Sequence, residues 1–151
     1  MGMKARVKLV QDVMFVAESG SGHAVVIDGA PDIGGRNLGF RPMEMLLIGL
    51  GGCASIDVLL ILRKGREQVT DCFVELDGER ATTDPKVFSK IHMRYVVTGR
   101  GLDRNKVERA IKLSAEKYCS ATAMLGATAR ITHSLDLIDE TERPVEVSSR
   151  S

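Results

Sequence analysis

The chain has 151 residues, of which 44% are hydrophobic and 27% are charged, and these values are typical of a soluble globular protein. Its net charge of +1, with acids and bases interspersed, gives no electrostatic reason to expect nucleic acid or an anionic membrane as a partner. No apolar segment follows the basic N-terminus, and three cysteines make an odd count. We therefore expect no secretory signal and no disulfide framework, and a cytoplasmic protein.

The N-terminal part is predicted to be a β-meander with strands at residues 4–10, 13–17 and 24–27. Val7 and Leu9 alternate with charged residues, which predicts that the first strand is half-buried. A long loop at residues 30–41 follows, with one proline and three glycines. A loop of this length in a small domain often has a functional role.

A long apolar helix is predicted to begin at Pro42 and to end near Lys64. Its longest uncharged run, residues 45–56, is too short to span a bilayer. Because the middle of the helix is apolar almost all round, it must be covered on every side, and one small sheet covers one face. We expect a homodimer with this helix near the two-fold axis. The alternative is that the C-terminal helix covers it within one chain.

The remaining chain is predicted to add two strands, an amphipathic helix, a helical turn and a last strand. These elements are placed at residues 69–76, 89–98, 103–118, 120–126 and 128–138, with Asp77-Gly78 and Asp84-Pro85 in the turn between the two strands. The order βββ-α-ββ-α-β predicts an α+β fold with mainly antiparallel sheet. We expect a single domain over residues 1–139 and a disordered polar tail over residues 140–151.

Two cysteines are the candidates for chemistry. Cys53 lies inside the long apolar helix, and Cys119 lies at the end of the amphipathic helix. If the two thiols meet in the fold, they form a dithiol suited to peroxide chemistry. If they do not, they are ordinary buried cysteines, because free cysteine usually behaves as a small hydrophobe. Cys72 fits this second interpretation, since it shares a strand face with Val74 and Leu76.

A peroxidatic cysteine must be a thiolate, and apolar burial alone raises the pKa of a thiol. Cys53 lies roughly 16 Å inside its helix, too far for the helix dipole to act strongly. A reactive Cys53 therefore needs a cation, and the candidates are Arg36 and Arg41 from either subunit, with Glu44 as the nearest carboxylate to orient one of them. There is no CxxC motif and the three histidines are scattered, so we expect no zinc site and no bound cofactor.

Several motifs, in order along the chain, resemble the OsmC/Ohr family of osmotically inducible and organic hydroperoxide resistance proteins, and most closely its YhfA-like branch. The similarity runs over about residues 4–139. The motifs are Arg41-Pro42-Met43-Glu44-Met45, Gly51-Gly52-Cys53, Ile56-Asp57-Val58, Ala115-Glu116-Lys117-Tyr118-Cys119-Ser120 and Ile131-Thr132-His133-Ser134.

This resemblance implies an intertwined homodimer with two central helices wrapped by sheets and two active sites at the interface. It also implies a thiol peroxidase of the oxidative stress response. By this resemblance, Cys53 attacks an organic hydroperoxide and becomes a sulfenic acid, and Cys119 condenses with it to a disulfide. A small or lipoyl-type dithiol from outside the protein then restores both thiols.

Two features differ from the family peroxidases. Their activating arginine lies in the N-terminal hairpin region, whereas residues 11–23 contain no arginine here. Their glutamate directly follows the helix-starting proline, whereas Met43 holds that position here and Glu44 comes next. A second function class therefore stays open, that of a binding protein or redox sensor without efficient turnover. A cation beside the Cys53 sulfur would favour the enzyme.

Overall fold

The structure, a computed structural model, describes residues 2–142 and consists of two compact units that divide after Ile48. The elements follow the predicted order, and the α+β class is confirmed. Of the predicted tail, Glu140–Glu142 form a 3-10 turn, and residues 143–151 lie outside the described residues. The prediction of a single domain over residues 1–139 stays a prediction.

The N-terminal unit contains a three-stranded antiparallel sheet in the order β1-β2-β3. Its strands are β1 (Ala5–Gln11), β2 (Met14–Ser19) and β3 (Ala24–Ile27). The predicted half-burial of the first strand is wrong for the single chain, because every residue of β1 is exposed, Val7 by 58% and Leu9 by 54%. The alternating pattern is real, but β1 is an edge strand and its apolar side chains remain uncovered.

The loop after β3 is organised around Asp28, whose side chain is almost fully buried. Its carboxylate accepts backbone N–H hydrogen bonds from Gly29 at 2.8 Å, Arg36 at 3.0 Å and Leu38 at 3.2 Å. These bonds, the one from Arg36 most of all, hold the pKa of Asp28 below its usual value although burial opposes them. A 3-10 turn at Pro31–Ile33 lies within the same loop.

The C-terminal unit contains the second sheet, in the order β4-β5-β6, and two short helices. These elements are β4 (Gln68–Arg80), β5 (Phe88–Arg100), α2 (Arg104–Leu113), α3 (Ser120–Leu125) and β6 (Arg130–Asp139). β4 pairs with β5 in antiparallel fashion, and β6 pairs with β5 in parallel because the chain crosses over through the helices. The sheet is therefore mixed.

The turn between β4 and β5 is shorter than predicted. Asp77 pairs with His92 and Gly78 pairs with Ile91, so both residues belong to β4 rather than to the turn. The partner strand β5 is 13 residues long, and its cross-strand pairing overrides the local turn preference of Asp-Gly. Asp84-Pro85 does lie in the turn, as predicted, and its peptide bond is cis.

The long helix is α1 (Pro42–Lys64), with the predicted bounds. From Gly49 onward α1 belongs to the C-terminal unit. One side is buried through Leu50, Gly51, Ala54, Val58 and Leu62. At Gly51 a Cβ atom would lie 2.7 Å from Cδ1 of Leu76, so the absence of a side chain there lets the helix approach β4 closely.

The opposite side of α1 is uncovered in the single chain. Ile56 is 61% exposed and Leu60 is 58% exposed, and a Cβ atom at Gly49 or Gly52 would meet nothing within 4 Å. α1 is therefore not buried on every side, and the described helices leave this face open. By length and composition alone α1 is apolar enough to cross a membrane, a property that the core helix of a soluble protein shares.

Candidate active site: two thiols and a carboxylate

α1 presents Cys53 and Asp57 one helical turn apart, a spacing that brings side chains together on one face. Both residues are half-buried. Asp57 is the one charged residue of α1 between Met45 and Leu62. A charge at such a position is costly unless polar groups satisfy it, so its neighbours must supply them.

Cys119 lies close to Cys53 and Asp57, at a break between two helices. The predicted continuous helix over residues 103–118 is wrong in detail, because α2 ends at Leu113 and Ser114–Tyr118 form a π-helical turn. The wider turn is closed by the N–H of Cys119, which donates to the carbonyl of Ser114 at 2.8 Å. Single π-turns of this kind are frequent at functional sites.

Beyond the π-turn, Cys119 takes an extended backbone conformation and precedes the first residue of α3. Its sulfur accepts the backbone N–H of Thr122 at 3.4 Å, and its side chain is buried. Ser114, fully buried at the other end of the π-turn, donates its hydroxyl to Oδ2 of Asp57 at 3.1 Å. The π-turn thus supplies one thiol to the site and one hydrogen bond to its carboxylate.

Helix α1 and the π-turn region bring three side chains together. The sulfurs of Cys53 and Cys119 and a carboxylate oxygen of Asp57 all lie within 4.8 Å of one another. We call these three residues the thiol cluster. The two cysteines singled out in the sequence therefore meet, whereas Cys72 lies half-buried on β4 outside the cluster.

Burial is the main influence on the protonation of Cys119 in the cluster. Burial raises the pKa of the Cys119 thiol, Cys53 raises it further, and the hydroxyl and N–H of Thr122 work in the opposite direction. The Thr122 hydroxyl is itself buried and has no hydrogen-bond partner of ordinary geometry. Within the C-terminal unit, as far as the structure describes it, Asp57 forms no salt bridge.

Tyr95 of β5 stands beside the cluster. Its side chain is 1% exposed, and burial raises its pKa most, followed by the neighbouring Cys119, Cys72, Asp57 and Cys53. The phenol is therefore neutral throughout the physiological pH range.

Asp57 also lines an open groove of about 400 Å³ on the surface of the C-terminal unit. The other lining residues are Leu60, Ile61, Lys64, Leu113 and Tyr118. The groove is mainly apolar and connects the carboxylate side of the cluster to solvent. A larger cavity of about 650 Å³, between α2 and β6, includes Thr122 in its lining and neither cysteine of the cluster.

Arg36 lies in the N-terminal unit, at the turn between β1 and β2. Its Nη2 donates to Oε1 of Gln11 at 3.3 Å, and its Nε lies 3.8 Å from Oδ2 of Asp12. The side chain is 48% exposed. Although Arg36 comes from the following loop, its guanidinium therefore stands at the hairpin turn between β1 and β2.

Arg41 and Glu44 form the start of α1. The carboxylate of Glu44 accepts the backbone N–H of Arg41 at 2.8 Å, which is one half of a capping box. The Arg41 guanidinium donates to Oδ1 of Asn37 at 3.1 Å. In the single chain the described contact of Glu44 is therefore with the backbone and not with an arginine guanidinium.

Sequence reasoning missed Asp57 and Ser114. The signal for Asp57 was present, since a lone carboxylate inside an apolar helix, four residues after Cys53, needs a polar partner. Ser114 gives no such signal, because a serine within an amphipathic helical pattern is unremarkable. Its role depends on the π-turn, which periodicity does not predict.

Comparison with known proteins identifies relatives along most of the chain. The family model for OsmC-like protein matches residues 34–134. Protein YhfA of Escherichia coli strain K12 is 46% identical over 139 residues, which are 90% of this chain and 98% of YhfA.

Solved structures have the same fold. A hypothetical protein of Aquifex aeolicus is 30% identical with a TM-score of 0.82, over 93% of this chain and 98% of its own. An organic hydroperoxide resistance protein OsmC from Legionella pneumophila is 14% identical with a TM-score of 0.67, over 90% of this chain and 97% of its own, and at that identity it shows the fold alone. The resemblance read from the motifs is confirmed, and the chain belongs to the OsmC-like family.

Proposed function

We propose that this protein is a thiol-dependent peroxidase that reduces organic hydroperoxides to alcohols. The observation that carries the proposal is the meeting of the Cys53 and Cys119 sulfurs within 4.8 Å, although the two residues are 66 positions apart in the chain. A buried structural cysteine needs no second thiol beside it, whereas a peroxidase that resolves its sulfenic acid does. Family membership supports the same activity.

In the proposed reaction, the thiolate of Cys53 attacks the distal oxygen of ROOH. The O–O bond breaks, RO⁻ leaves and takes up a proton from solvent to become ROH, and Cys53 becomes a sulfenic acid. The Cys119 thiol then attacks the Cys53 sulfur, and the hydroxyl group leaves as water with the thiol proton, which forms the disulfide. An external dithiol of lipoyl type reduces this disulfide by exchange and becomes a disulfide itself.

Activation of Cys53 is assigned to Arg36. A cation beside a thiol favours the thiolate and lowers its pKa, and an arginine keeps its charge in apolar surroundings. Arg36 is preferred over Arg41 because its guanidinium stands at the N-terminal hairpin, where its partners are exposed and weakly held. Glu44, which caps α1, is assigned a supporting role at the start of the helix.

The substrate class follows from the groove beside Asp57. Leucine, isoleucine and tyrosine side chains line most of it, so an alkyl or aryl group of the peroxide would bury apolar surface there. Hydrogen peroxide has no such group. We therefore propose organic hydroperoxides as the preferred substrates, and the cytoplasm, where thiols are kept reduced, as the compartment.

We further propose that the working unit is a homodimer in which a second copy covers the open face of α1. Ile56 and Leu60 are more than half exposed in the single chain, and open space at Gly49 and Gly52 leaves room for a helix. Sedimentation should give twice the mass of the chain. Ile56→Lys should shift it toward the single-chain mass, whereas Ile33→Lys, at an equally exposed apolar residue of the loop, should not. A wild-type monomer would contradict the dimer.

A second candidate function, a redox sensor or binding protein with little turnover, is favoured by a different observation. The described neighbours of Cys119 in its own unit include a thiol, a carboxylate, Thr122 and the neutral Tyr95, and burial raises its pKa. A dithiol in such surroundings reacts slowly with peroxide unless a cation reaches it.

The test is consumption of cumene hydroperoxide with dihydrolipoamide as the reductant. Wild type should turn over, Cys53→Ser should lose essentially all activity, and Cys119→Ser should lose turnover with dihydrolipoamide while still forming a sulfenic acid. Cys72→Ser is the matched control, because Cys72 is a half-buried thiol of the same unit outside the cluster. Wild type no faster than Cys53→Ser would overturn the peroxidase and leave the sensor.

A further inference from the structure

We propose that the thiol cluster is a binding site for a thiophilic divalent cation of the Zn²⁺ class, with the sulfurs of Cys53 and Cys119 and the carboxylate of Asp57 as its ligands. A metal site is not expected from the sequence, because the three ligands are spread over sixty-seven positions without a CxxC pair. It is the π-turn before Cys119 that brings them within 4.8 Å of one another.

The spacing suits one ion. Zinc binds sulfur at about 2.3 Å and carboxylate oxygen at about 2.0–2.2 Å, so two ligands of one ion lie at most about 4.6 Å apart. Three atoms that already lie within 4.8 Å of one another reach such a position by small side-chain rotations. Two cysteines and one aspartate leave one tetrahedral position for water, which is the ligand pattern of an open zinc site.

The surroundings of the three ligands have the features of an outer shell. Ser114, which is fully buried, donates to Oδ2 of Asp57 and leaves the other carboxylate oxygen available. The N–H of Thr122 donates to the Cys119 sulfur, and the buried hydroxyl of the same residue has no hydrogen-bond partner of ordinary geometry. Outer-shell hydrogen bonds of this kind orient ligands and are typical of metal sites.

The negative charge of the ionised cluster and its access to solvent also favour a bound cation. Two thiolates and a carboxylate would carry three negative charges, and within the described C-terminal unit no lysine or arginine forms a salt bridge with Asp57. A divalent cation neutralises most of that charge. The groove lined by Asp57, Leu60 and Lys64 gives an ion a route from solvent to the carboxylate.

Metal binding and the disulfide exclude each other, because both use the same two sulfurs. The ion would hold the reduced dithiol, and the disulfide would release it. The site does not depend on peroxidase activity, and it can be tested without any peroxide. A protein that binds the ion but fails to turn over peroxide would leave this inference standing and remove the proposed function.

The experiment is a titration of the fully reduced full-length protein with Zn²⁺, followed by calorimetry, and with Co²⁺, followed by its thiolate charge-transfer absorption. The expected result is one ion per chain with two thiolate ligands in the cobalt spectrum. Cys53→Ser, Cys119→Ser and Asp57→Asn should each weaken binding more than tenfold, and Ser114→Ala should weaken it by about 10–100-fold. Cys72→Ser should bind as wild type does.

Asp57→Asn keeps the shape of the side chain and can still accept the Ser114 hydrogen bond, so it separates loss of a ligand from loss of the fold. Circular dichroism of each variant checks that the fold is intact. Wild-type affinity in Asp57→Asn, equal loss in Cys72→Ser, or a cobalt spectrum without thiolate bands would each overturn the site.

Discussion

The loop before α1 and the thiol cluster both contain side chains that the sequence points to, and they differ in what holds those side chains in place. In the loop, the Arg36 guanidinium contacts Gln11 and Asp12 at the surface, and that of Arg41 contacts Asn37. In the cluster, Cys53 and Cys119 come from α1 and from the π-turn region and meet through tertiary packing.

This difference has an energetic consequence. Exposed ion pairs such as that of Arg36 with Asp12 contribute about 0–1 kcal/mol, so the guanidinium can exchange partners at little cost. A hydrogen bond to a charged group contributes about 1.5–3 kcal/mol, so the one between the buried Ser114 hydroxyl and Asp57 fixes the carboxylate more firmly. The comparison indicates that the cluster is preformed and that the arginines are adaptable.

The largest expected effect is the difference in peroxidase activity between variants of Arg36 and variants of Arg41. If Arg36 activates Cys53, Arg36→Met removes a cation that typically lowers a neighbouring thiol pKa by about 1–3 units, so kcat/KM at pH 7 should fall by about tenfold or more. Arg41→Met should cost much less. Peroxidase assays from pH 6 to 9 measure both, and the Arg36→Met deficit should shrink at high pH, where a thiol needs no neighbouring cation to ionise.

Equal losses in the two variants would contradict the assignment of Arg36. A deficit that stays constant over the pH range would contradict the mechanism even if Arg36 matters, because it would show that the arginine positions the substrate and does not set the thiol pKa. Arg36→Lys adds a further control, since a lysine retains the charge and loses the planar guanidinium.

Some elements of the fold can be predicted from local signals in the sequence, and others cannot. The bounds of α1 and β3 are predicted correctly, because Pro42 begins the helix, Gly65 follows its end, and Asp28-Gly29 follows the strand. The Asp-Gly pair at 77–78 misleads, because it has the same local signature as a turn and lies within a long strand pair. Local signals are sufficient where no distant strand competes with them.

The candidate site is predictable in part for a similar reason. The two cysteines were identified as a pair through family resemblance, and α1 alone would have placed Asp57 beside Cys53. Ser114 and the extended backbone at Cys119 depend on a π-turn, which has no apolar period of its own. The contacts of Glu44 were open to prediction from the capping-box spacing, which places a glutamate three residues after the helix cap.

A smaller effect is expected at Asp28, the buried carboxylate that organises the loop. Asp28→Asn places an amide NH2 where the aspartate accepts backbone N–H groups, so at least one of Gly29, Arg36 and Leu38 loses its acceptor. The free energy of unfolding at pH 7 should fall, as measured by urea titration. The thiol cluster lies in the other unit, and its cobalt spectrum should not change.

The pKa of Asp28 determines how the stability difference between wild type and Asp28→Asn should change with pH. The pKa of Asp28 is lower in the folded protein than its ordinary value of 3.8, so its stabilising contribution is complete well above pH 3.8 and is lost as the pH falls below that value toward the folded-state pKa. The difference between wild type and Asp28→Asn should therefore be constant from pH 7 to 5 and narrow toward pH 3. A difference that widens in acid would mean that the carboxylate is destabilised by its burial, and that the three N–H groups do not hold the loop that positions Arg36.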